Sequence, residues 1–155
     1  MAHQISMFDG VGEAAFALRP AWHGLGRTLD YVPDSEAMIE AAHLGWSVGA
    51  RPLVTCDGRS VPGYFATVRE DTGAVLGVVS DRYKVVQNRD AFDFLDSLLQ
   101  DGVLRYESAG ALKGGRVVWA LARMPSDDEI APGDVSRRYI LFSTTHDGSG
   151  SVQRM

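Results

Sequence analysis

Cysteine occurs once in this chain of 155 residues, lysine twice, and long apolar runs are missing. The single cysteine, Cys56, excludes an intramolecular disulfide and the common thiolate-rich zinc sites. No run approaches the roughly 20 apolar residues of a membrane helix. The opening MAHQISMFDG has neither a basic cluster nor an apolar core, so no secretory signal is read there. With the lone cysteine, this predicts a reducing, cytosolic setting. The four histidines, His3, His23, His43 and His146, show no metal-binding spacing, and no metal or cofactor is expected.

Positive charge is also in short supply. Fifteen basic residues face twenty acidic ones, a net charge of −5. That excludes a surface that coats nucleic acid as a whole, while leaving room for a local basic groove. Thirteen of the fifteen are arginine. GC-rich coding accounts for the bias, although arginine also suits bidentate phosphate contacts.

What is present reads as an ordinary globular domain, 45% hydrophobic and 23% charged. Residues 1–33 look irregular, with closely spaced glycines and prolines and room for a short helix over Glu13–Leu18. Within AWHGLGRTL, the glycines two apart predict a backbone bend, with Trp22 at the edge of the core. Residues 34–155 read as the folded α+β domain.

Pro33, Asp34 and Ser35 announce a helix over 34–44, with Met38, Ile39, Ala41 and Ala42 as its apolar stripe and Gly45 as its stop. Three antiparallel strands follow between Trp46 and Ser80, with Pro52 at an edge or bulge and EDTG closing a hairpin at Gly73. In the middle strand Tyr64, Ala66 and Val68 share one face, and Phe65, Thr67 and Arg69 the other. Asn88 is expected to cap a second helix, whose stripe is Ala91, Phe92, Leu95, Leu98 and Leu99 before Gly102. A further meander turns at KGGR. PSDDEIAPGD reads as a solvated acidic loop, and RRYILFSTTHDGSG as a last strand ending in an Asp-Gly turn. Strands and helices in blocks predict α+β, a largely antiparallel sheet with both helices on one face around a β-β-β-α core.

No spacing supplies a catalytic cluster, so the chain reads as a non-enzyme. The serial Ser143–Asp147 residue types point to alternate faces of a strand rather than converging as a triad. Two stretches remain as binding candidates. In KGGR, Lys113 and Arg116 flank a flexible turn that could hold a phosphate through side chains and amides. In SDRYKVVQNRD, the cations Arg82, Lys84 and Arg89 surround Tyr83, a pattern that can follow a backbone and stack a base.

The blocks PAWHGLG, VVSDRYKVVQNRD, SAGALKGGRVVWALARM and THDGSG resemble the phage/plasmid-like protein family of unknown function, found in phages, plasmids and actinobacteria. The resemblance implies a mobile-element origin and action in the bacterial cytoplasm, with no assigned reaction. It also implies a longer protein, of which this chain is a shortened form or a short variant. The helix–LGW–three-strand–helix order is similar, at the level of topology, to ring-forming single-strand annealing proteins. Carried over by position, Arg69, Arg82, Lys84 and Arg89 would hold a DNA backbone. The leading expectation is therefore an oligomeric, non-catalytic single-stranded DNA-binding or annealing module. The alternative is an acidic module that binds a host protein through Asp127–Glu129 and Asp93–Asp96.

Overall fold

The computed structural model describes residues 4–97, 105–124, 128–131, 134–150 and 153–154. Chain order runs β1 (Met7–Phe8), β2 (Val11–Gly12), β3 (Ala14–Ala17), β4 (Arg27–Leu29), α1 (Ser35–Ala41), β5 (Val48–Val54), β6 (Ser60–Arg69), β7 (Val75–Ser80) and α2 (Asn88–Ser97). It continues with β8 (Arg105–Leu112), a 3-10 turn at Lys113–Gly115, β9 (Val117–Arg123), β10 (Asp128–Ala131), β11 (Asp134–Ser136), β12 (Tyr139–Thr145) and β13 (Gln153–Arg154). The fold is α+β.

The main sheet has six strands in the order β13-β12-β9-β8-β3-β4, antiparallel except for the parallel pair β3–β4. Its inner face is made of small residues: Ala15, Ala109, Ala111, Ala120 and Ala122 are all fully buried. Their short side chains let α1 approach closely. Met38 and Ile39 of α1 and Ala91, Phe92 and Leu95 of α2 complete the core, with Phe92 stacked on Tyr106 at 5.6 Å. Burying each of the large side chains is worth roughly 1.5–3 kcal/mol.

The expected three-strand meander forms a separate sheet, β5-β6-β7, with a register shift at Pro52 and a hairpin turn at Gly73, φ 71°. Asp34 caps α1 by accepting from the Ala37 amide at 2.9 Å. The chain leaves α1 through His43, which takes the left-handed conformation at φ 55° two residues before Gly45.

Several local expectations are corrected. Glu13–Leu18 is not helical: Ala14–Ala17 pairs with β8, because the buried alanines serve the sheet. The bend of AWHGLG is present, with Gly24 at φ 67° and Gly26 at φ 89°. A Cβ on Gly26 would meet the Ala14 carbonyl oxygen at 2.4 Å, so only glycine permits this approach of β4 to β3. Trp22 does not edge the core; it is 86% exposed. Asn88 does not cap α2, since its side chain is buried and donates to the Leu44 carbonyl oxygen at 2.8 Å. The acidic stretch folds in part as the antiparallel ribbon β10–β11. Leu98, Leu99, Gly102 and Asp127 lie outside the described residues.

Candidate functional site

The residues expected to form one basic face take different parts in the structure. Arg69 shares the inward face of β6 with Thr67 and is only 3% exposed. Its guanidinium donates to Glu13 at 2.7 Å and to Asp71 at 2.7 Å and lies 4.3 Å over the Trp46 ring. Burial opposes the charge, but the hydrogen bonds to Glu13 and Asp71 outweigh it and hold the pKa above its ordinary value. The same contact holds the Asp71 carboxyl below its usual range. Arg69 is thus a structural cation and is withdrawn as a phosphate contact. Arg89 is exposed but engages Glu36 with both terminal nitrogens.

Tyr83 is half-buried, and its hydroxyl donates to the Thr145 carbonyl oxygen at 2.6 Å. Burial pushes its phenol pKa up. That anchoring fixes the ring at the end of β12. Arg82 and Lys84 are exposed beside it. In KGGR two amides are occupied: Lys113 N donates to the Gln4 carbonyl oxygen at 2.8 Å and Gly115 N to Ser6 Oγ at 3.0 Å. Lys113 and Arg116 are exposed side chains. Of the acidic alternative, Asp96 accepts from the Tyr106 hydroxyl at 2.6 Å and Asp93 is exposed.

Positive charge converges elsewhere, at the other end of the main sheet. Arg105 begins β8, Arg123 ends β9 and Tyr139 begins β12. Because the strands are antiparallel, these termini lie side by side: Arg105 pairs with Arg123, and Arg123 with Tyr139. The neighbouring pair, Tyr106 and Ala122, is buried against the helices. Side chains alternate along a strand, so Arg105, Arg123 and Tyr139 project from the opposite face.

There they line a cleft of about 330 Å³ with Arg19, Arg137, Glu107, Phe16 and Val32. Four arginines and one carboxylate thus face a single depression in a protein of net charge −5. Among the described residues, no ion pair engages Arg19, Arg105 or Arg137. Tyr139 is 40% exposed at the cleft wall, where Val32 and Leu18 are also exposed. Tyr31 and Trp22, next along the chain from Val32 and Ala21 of the same wall, are exposed aromatics.

Sequence reasoning passed over these arginines because they lie far apart in the chain. The usable signal was topological: in a meander, the start of one strand, the end of the next and the start of the third share an edge. A buried polar centre was missed as well. His146 is fully buried, its Nε2 donating to Asn88 Oδ1 at 2.9 Å, while its carbonyl oxygen accepts from the Thr67 hydroxyl at 2.6 Å. Burial lowers its pKa to about 4 and keeps the ring neutral. With Asn88, it joins α2 to the end of β12.

Among the described residues, no group of three histidine, cysteine or carboxylate side chains converges to hold a metal ion, and no helix is long and apolar enough to cross a membrane. No curated protein and no solved structure matches the chain. Residues 75–155, just over half the chain, match the family described as "Domain of unknown function (DUF932)"; they include Arg105, Arg123, Arg137 and Tyr139 of the cleft. The chain belongs to the DUF932 family.

Proposed function

We propose that this protein is a non-catalytic module that binds single-stranded nucleic acid, DNA in the setting of a mobile element, through the arginine cleft at the end of its main sheet. The carrying observation is the convergence of Arg19, Arg105, Arg123 and Arg137 beside exposed Tyr139 on a chain that is acidic overall. Proteins that hold single strands without reading sequence combine such a cationic track with aromatic faces on which bases stack. Arginine suits the task because its planar fork meets phosphate oxygens two at a time. The acidic remainder of the surface repels the polyanion and confines it to the cleft. The reading places the protein in the bacterial cytoplasm, where strands from a phage or plasmid are exposed, and self-association would line several clefts along one strand.

The test is fluorescence anisotropy of a labelled single-stranded oligonucleotide at low salt. Binding is expected, with Arg105→Ala and Arg137→Ala each weakening it about tenfold, the scale of one charge-assisted contact. Absence of binding at low salt by the folded protein contradicts the proposal.

A further inference from the structure

Resting on that reading, the cleft's dimensions and lining carry a narrower conclusion. Its volume of about 330 Å³ lies at the lower end of the roughly 300–1,000 Å³ of small-ligand sites. Tyr139 on β12 and Arg105 on β8 are two strand spacings apart, roughly 10 Å, a separation suited to a base at one end and a phosphate at the other. Phe16 on β3 supplies an apolar wall beyond them.

Glu107 is the unexpected member. It sits, half-buried, in the irregularity of β8 between Tyr106 and Ser108, where the register with β9 shifts. In a site built only for phosphate, a carboxylate works against affinity. It is useful if the ligand presents an N–H donor as well as an anion. Among nucleobases, cytosine, adenine and guanine carry an exocyclic amine that a carboxylate can accept from, whereas thymine and uracil present carbonyls in its place. A carboxylate facing those carbonyls repels them, which is a device for specificity.

We infer that the cleft takes one nucleotide as a unit, its phosphate on Arg19 and Arg105, its base against Tyr139 beside Arg137, and Glu107 selecting bases that carry an exocyclic amine. Free mononucleotides should therefore compete with a strand for the site.

The experiment is displacement of a labelled oligonucleotide by deoxycytidine, deoxyadenosine and thymidine 5′-monophosphates and by inorganic phosphate, for the native chain and Glu107→Gln. The amino-bearing nucleotides are expected to compete about tenfold better than thymidine monophosphate, and Glu107→Gln to erase most of that difference. Equal competition by all four probes overturns the inference, as does a preference that survives Glu107→Gln. Oligonucleotide binding that no mononucleotide displaces also overturns it, while leaving the single-strand reading intact. Failure of the oligonucleotide itself to bind removes both.

Discussion

Arg69 and His146 show how one side chain's surroundings decide its role. Arg69 satisfies the alternation of β6 only by turning inward, and its charge is tolerable there because Glu13, fully buried, meets it. Removing one member of such a pair strands the other. Arg69→Ala is expected to cost about 3–5 kcal/mol in urea denaturation, and the double change Glu13→Leu with Arg69→Met less than the sum of its single changes. His146 gives a pH signature. Its folded pKa of about 4 lies below the unfolded value of 6.5, so its contribution is complete above pH 6.5. Between pH 6.5 and 4 the unfolded chain binds the proton more readily, and stability falls with pH by roughly 3 kcal/mol. An NMR titration should show the His146 imidazole neutral down to about pH 5. A ring that titrates near 6.5 would contradict its placement.

Among the elements, β4 depends on its glycine bend. Gly26→Ala should drive a methyl into the Ala14 carbonyl and release β4 from β3, whereas Gly24→Ala meets open space and carries only a backbone penalty of about 1 kcal/mol. Hydrogen exchange at the Arg27–Leu29 amides would register the first change and not the second. The elements that local pattern governs were legible in the sequence: α1 from its cap and stripe, the meander β5–β7 from alternation and turn residues, and β8–β9 from the KGGR turn. What pairs with what over long separations was not. Ala14–Ala17 looks helical in isolation and becomes a strand because β8 offers it an edge. Asn88 looks like a cap and instead ties α2 to Leu44, 44 residues away. No local window contains either partner.

For the molecule as a whole, charge organisation matters more than net charge. The basic groove anticipated around residues 82–89 loses Arg69 to the core and Arg89 to a pair with Glu36, while strand topology assembles another at the far end of β12. The two ends give opposite expectations for anion binding. The most direct measurement is the salt dependence of single-stranded oligonucleotide affinity for the native chain, Arg105→Ala with Arg137→Ala, and Arg82→Ala with Lys84→Ala. The native chain is expected to lose affinity linearly in log–log form, the cleft variant to flatten that slope by about two, and the other variant to leave it nearly unchanged. A cleft variant that keeps the native slope, or an Arg82/Lys84 variant that flattens it instead, would contradict the assignment.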